Sequence, residues 1–169
     1  GGSKTRAAYF AAKARFLQAG QVFAKFDAMK FWKNPKNWKQ EIDAKTKMEA
    51  TVAKAYKTVL EYKQAEWTLA ALYHIACTKE RLARSLFDAP IVPTKVPVDP
   101  DERVMYRHWL TDISEPIEDA AVELYMNVLK TASELKVNNE WSRKALERLN
   151  RLRPGKFPIQ KEAKGYPGE

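Results

Sequence analysis

The sequence predicts an all-α fold of antiparallel helices, and three observations predict it. Glycine is scarce: only Gly20 lies between Gly2 and Gly155, whereas an all-β chain needs many tight turns of the kind glycine or asparagine makes. Apolar residues recur at alternating spacings of three and four, the helical period. The nine prolines gather almost entirely at a few places between these periodic segments, where proline ends or starts helices. With 169 residues, 45% of them hydrophobic, the chain can build one domain with its own core and is too apolar for a disordered one.

Gly1-Gly2-Ser3 reads as the scar of a removed tag, and the helical domain is expected over residues 4–153. A first helix runs from Lys4 to Phe31, with Tyr9, Ala12, Phe16, Ala19, Phe23 and Phe26 as its apolar stripe. Asn34-Pro35-Lys36-Asn37 ends it. A second helix starts at Trp38 or Ile42 and reaches Tyr62, burying Met48, Val52, Ala55, Val59 and Tyr62. Lysines 45, 47, 54, 57 and 63 decorate the rest of it. No glycine or proline marks the break near Lys63. A third helix, Glu66 to Phe87, is apolar nearly all round from Trp67 to Cys77, which places it centrally with helices on both flanks. Residues 89–100, rich in proline, form a loop. Asp99-Pro100-Asp101-Glu102 is a helix start: a capping Asp, a Pro in the first turn, then acids that complement the helix dipole. That helix reaches Asp112. Ser114-Glu115-Pro116 kinks or restarts it, and the next segment runs to Leu135 with Ile117, Ala121, Leu124, Val128, Ala132 and Leu135 as its stripe. Asn138-Asn139 caps a last helix, Glu140 to Leu152. Residues 154–169 are expected as an extended, proline-containing tail. The count is about six helices.

The chemistry-bearing residues are few. Cys77 is the single cysteine, so no internal disulfide and no multi-thiolate zinc site can form. His74 and Cys77 share one helix face, but His108 is the only other histidine; a packed core pair is the expectation. Glu-x-x-His pairs of a di-iron bundle are absent, Ala71 and Met105 standing at the required positions. Gly-x-Ser-x-Gly and both phosphate-loop patterns are absent as well. Asp101/Glu102 and Glu118/Asp119 lie in first helical turns, where the dipole accounts for them. No catalytic, cofactor or metal site is expected. No apolar run approaches the ~18 residues of a membrane span.

Charge is uneven. Residues 1–66 carry 14 basic and 6 acidic side chains, residues 67–137 carry 8 and 11, and residues 138–169 carry 8 and 4, so the net +9 is two basic ends around a mildly acidic middle. Lys25, Lys30, Lys33, Lys36 and Lys39, interleaved with Phe26, Phe31, Trp32 and Trp38, form the densest patch, suited to an acidic partner or to nucleic acid. Arginine, the bidentate phosphate reader, is nearly absent there. Trp109 is a further contact candidate.

A repeat signal begins where the N-terminal charge stops. Trp67-x2-Ala70-Ala71-x2-His74 followed by Ala83-x3-Phe87 follows the tetratricopeptide pattern of a Trp, a small-residue pair, then Ala-x3-Phe. It departs from it in Ala70, Ala71 and His74, and no turn separates its two halves. From Glu66-Trp67 through Ala70-Ala71-Leu72-Tyr73-His74-Ile75, Pro116-Ile117-Glu118, Tyr125, Glu134-Leu135, Asn139-Glu140-Trp141, Ala145-Leu146-Glu147 and Leu152-Arg153-Pro154 to Phe157-Pro158, the order of residues resembles the C-terminal portion of large tetratricopeptide-repeat proteins of myxobacteria and related deltaproteobacteria. Some of those belong to the adventurous gliding-motility apparatus. The resemblance covers roughly half of the chain. It implies a degenerate tetratricopeptide-like α-solenoid and a non-catalytic protein–protein scaffold of a bacterial envelope assembly, periplasmic or outer-membrane-associated; the residues themselves leave a cytoplasmic location open. The alternative reading is a basic helical nucleic-acid-binding module.

Overall fold

A computed structural model describes residues 2–31, 37–90 and 99–158. Among the described residues the chain forms five helices and no strand: α1 (Gly2–Ala28), α2 (Trp38–Leu60), α3 (Ala65–Phe87), α4 (Pro100–Leu135) and α5 (Glu140–Leu152). Each helix packs on the next, and α3 also reaches α1 and α5. Side-chain pairs fix the directions. Tyr9–Glu66 and Asp27–Arg81 tie the starts and ends of α1 and α3 together, so these run parallel. Glu80–Arg148 and the Tyr73–Trp141 ring pair do the same for α3 and α5. Glu49–Lys79 and Lys45–Ser85 set α2 antiparallel to α3, and Tyr125–Glu80 with Arg107–Phe87 set α4 antiparallel to it.

The expected count of six falls to five because the break at Ser114–Pro116 does not occur. Pro116 sits inside α4 and has no N–H to offer the carbonyl one turn back. On either side of it Leu110, Ser114 and Ala121 are buried, and Ile113 and Ile117 pack against the core. Burying Leu110, Ile113 and Ile117 contributes about 1.5–3 kcal/mol each when complete, so the buried face outweighs the cost of about 3 kcal/mol that an interior proline brings through its lost hydrogen bond and ring clash. The unmarked break between α2 and α3 is made by Lys63, whose φ of 51° is left-handed; Tyr62 and Lys63 donate their backbone N–H groups back to Val59 and Leu60.

The other boundaries follow their local chemistry. Asp99 Oδ1 accepts from the Asp101 N–H at 3.0 Å. Asn139 and Ser142 form a reciprocal capping box at the start of α5. Lys136, also left-handed, closes α4 with the Val137 N–H bonded to the Ala132 carbonyl. The start of the tail is not extended: Pro154-Gly155-Lys156 turns, the Asn150 side chain donates to the Phe157 carbonyl at 2.8 Å, and Phe157 packs on the core. Phe157 has apolar surface to bury, which the expectation of an extended tail discounts.

There are two core clusters, and α3 contributes to both. The first joins Phe26 of α1 and Val52, Tyr56 and Val59 of α2 to Trp67, Ala70, Ala71, Leu82 and Leu86 of α3. The second joins Leu69 and Ala76 of α3 to Val122, Tyr125 and Val128 of α4 and to Ala145 and Leu149 of α5. The all-round apolar character of α3 is thus used on opposite sides. Two expectations fail in detail. Leu135 is exposed. Lys45 is buried rather than decorating α2: its Nζ donates to the Met29 carbonyl at 2.6 Å and to Ser85 Oγ at 3.1 Å and lies about 5 Å from the Phe26 and Phe31 rings. Burial pushes its pKa down.

Candidate protein-binding surface

The α1 helix lies at one end of the stack. Its inner face carries Ala12, Ala19 and Phe26, all buried. Its outer face carries Ala7, Phe10, Ala14, Leu17, Gln21, Ala24 and Ala28, spaced three and four apart, and all seven are exposed. Phe10 and Leu17 are the large ones, 54% and 58% exposed. Among the described residues, α1 packs on α2 and α3 and meets α5 through the Phe16–Trp141 ring pair, and none of these covers this face, whose seven residues are all exposed. The single-stripe expectation for this helix overlooks it. The signal was present as a second three-and-four spacing on the opposite side, masked by four alanines and a glutamine.

Basic side chains flank the outer stripe. Arg6 and Lys13 stand on one side and Lys25 on the other, all exposed. Asp27, the only acidic residue of α1, is bound to Arg81 of α3 at 2.5 Å. The electrostatic character of this surface is therefore positive.

The lysine patch is partly dismantled by the fold. Lys25 and Lys30 are exposed on and just beyond α1, and Lys39 is exposed at the start of α2 with its Nζ 5.2 Å from the Trp38 ring. Lys33 and Lys36, with Trp32, lie outside the described residues. Of the interleaved aromatics, Phe26 is fully buried, Phe31 is half-buried, and Trp38 packs edge-on against Trp109 at 4.9 Å. Trp109 also tilts against Tyr106. Trp38 thus links Lys39 to Trp109, a pairing across the stack that spacing could not show.

No family model matches the chain, and no curated protein or solved structure matches it.

Two polar features lie inside the stack. His74 sits in a ring cluster, stacked on Tyr56 at 5.2 Å and edge-on to Phe16 and Phe23, with Trp141 at 5.4 Å. Burial, and then the Lys144 and Arg81 charges, push its pKa down to about 4; its Nδ1 is buried without a hydrogen-bond partner. Cys77, by contrast, is partly exposed and borders a cavity of about 320 Å³ with Tyr73, Glu80, Arg81, Arg84 and Arg148. Glu80 is the hub of that cavity. It takes the Arg148 guanidinium through both oxygens and accepts the Tyr125 hydroxyl at 2.8 Å, with Arg84 at 3.5 Å. The side-chain hydrogen bond to Glu80 raises the Arg148 pKa. This geometry is a tie between α3, α4 and α5. Among the described residues, no group of three or more His, Cys, Asp or Glu side chains is placed to hold a metal ion, and no helix is long and apolar enough to cross a membrane.

Proposed function

We propose that this chain is a non-catalytic helical scaffold that binds other proteins, with the outer face of α1 as its contact surface. The observation that carries the reading is the seven-position stripe that no described element covers. An amphipathic helix buries its inner stripe against its own core; a second stripe at helical spacing is suited to a further helix. We read the five-helix stack as a degenerate tetratricopeptide-like array. Support comes from the shared use of α3 by two cores and from the fully buried small pair Ala70-Ala71, which lets helices approach closely. The order of residues from Glu66 to Pro158 supports a place in a bacterial envelope assembly, with the gliding-motility machinery as the specific case.

Nucleic-acid binding is the competing reading. It is weakened by the burial or packing of Phe26, Phe31 and Trp38, whose faces would have to stack on bases. A photo-crosslinking residue placed at position 17, compared with one at exposed Lys57 on α2, separates the readings in cells. Discrete protein adducts from position 17 and none from position 57 are expected. Adducts to nucleic acid, or equal labelling from both positions, would reject the proposal, as would binding to DNA or RNA that falls steeply with salt.

A further inference from the structure

We infer that the partner element seated on α1 is an acidic amphipathic helix of another protein, lying along the Ala7–Ala28 stripe. The inference rests on the interaction reading above and names the chemistry of the partner. The stripe positions 7, 10, 14, 17, 21, 24 and 28 follow the three-and-four spacing of a two-stranded helical seam. Four of the seven are alanine, which lets a second backbone come close, while Phe10 and Leu17 supply apolar area. A lipid surface would gain little from so narrow a stripe of alanines, whereas a facing helix fits it.

Charge decides among helices. The positions beside the seam hold Arg6, Lys13 and Lys25, all exposed, and the one neighbouring acid, Asp27, is already bound to Arg81. A second copy of α1 would bring Lys4, Arg6, Lys13, Arg15 and Lys25 against the same five, with one acid, Asp27, already bound in its own chain, so the two helices carry a net repulsion that only salt screens. A helix with glutamate or aspartate beside its own apolar seam complements them. Such pairing also gives partner choice and a fast on-rate.

The test uses two synthetic peptides of about three heptads, alike in a leucine–alanine seam and differing only in glutamate or lysine flanks. Neither self-associates well at neutral pH, because its flanks repel. Binding to the full chain is read by fluorescence anisotropy at low and high salt. The glutamate peptide is expected to bind at least about tenfold more tightly than the lysine peptide, which is the value of one well-placed charge pair with its seam contact. Raising the salt narrows that gap. Leu17→Asp should weaken the glutamate peptide by about tenfold with unchanged helix content, since Leu17 is 58% exposed. The combination Lys13→Glu and Lys25→Glu should reverse the preference toward the lysine peptide. Equal binding of both peptides, no binding of the glutamate peptide, or binding indifferent to Leu17→Asp overturns the inference. So does a solution dimer of the chain, or capture by anionic vesicles, that Leu17→Asp abolishes. If position 17 cross-links a protein in cells while the glutamate peptide fails, the interaction reading stands and the acidic helix falls; if no protein is cross-linked, the reading itself falls.

Discussion

At the scale of single residues, two polar side chains packed inside the stack set how the molecule responds to its surroundings. His74 is held neutral among Phe16, Phe23, Tyr56 and Trp141, with its pKa depressed to about 4. In the unfolded chain an imidazole titrates near 6.5. The unfolded state therefore binds the proton first as pH falls, so the stability this group contributes is complete above about 6.5 and is lost down to about 4. At pH 4.5 the loss from this one group is about 2–3 kcal/mol. His74→Phe keeps a ring in the cluster and removes the titration. Urea denaturation is expected to find it near the parent at pH 7.5 and more stable by about 2 kcal/mol at pH 4.5; equal acid sensitivity of the two proteins would show that other groups control it. Glu80 is the second case. Removing its main partner by Arg148→Met leaves a carboxylate that is 4% exposed with only the Tyr125 hydroxyl and a longer Arg84 contact. The expected cost is about 2–4 kcal/mol, because the charge stays buried without its counterion. Adding Glu80→Gln removes the charge and should restore part of that loss, a coupling that a double-mutant cycle in urea measures.

At the scale of elements, helix existence was written in periodicity and helix ends in capping chemistry. Asp99-Pro100 and Asn139 were legible because one side chain and its next two or three backbone N–H groups form the cap locally. Lys63 was not legible as a break. It adopts a left-handed conformation that lysine disfavours by about 1 kcal/mol, so its residue type does not announce the turn. Pro116 misled in the opposite direction: its local preference is for a stop, and the burial of Leu110, Ser114 and Ala121 on α3 overrules it. The same conflict yields a measurable outcome. Pro116 is exposed, so Pro116→Ala removes the ring clash and restores one helical hydrogen bond without touching the core. The melting temperature should rise, by an amount equivalent to about 1–2 kcal/mol once the greater freedom of the unfolded chain is deducted. An unchanged or lower value would mean that contacts of the proline ring offset the gain. The candidate surface was half legible. Lys25 appears in the basic patch, but the α1 outer stripe was hidden because alanine carries little hydropathic contrast, and the Trp38–Trp109 contact joins residues of two distant helices.

At the scale of the whole molecule, α3 decides how the parts depend on one another. It is one unbroken helix of 23 residues, and it belongs to a three-helix group with α1 and α2 and to another with α4 and α5. A helix cannot be formed for one group and melted for the other along the same turns. Trp67, Ala70 and Ala71 face the first core while Leu69 and Ala76 face the second, so neighbouring residues serve opposite sides. The Glu80 tie reinforces this, since it joins α3 to Tyr125 of α4 and Arg148 of α5, while Lys79, the residue before it, holds Glu49 of α2. Two half-stacks that merely touched would unfold separately, as arrays of weakly coupled repeats do. Here a lesion in one core should be felt in the other. Leu149→Ala empties a fully buried site of the second core, distant in sequence from α2, at a cost of about 2–5 kcal/mol. Native-state hydrogen exchange should then show the most protected amides of α2, around Val52 and Tyr56, losing protection by the same free energy as those of α5. Loss confined to α4 and α5 would show that the two groups open independently and that α3 does not couple them.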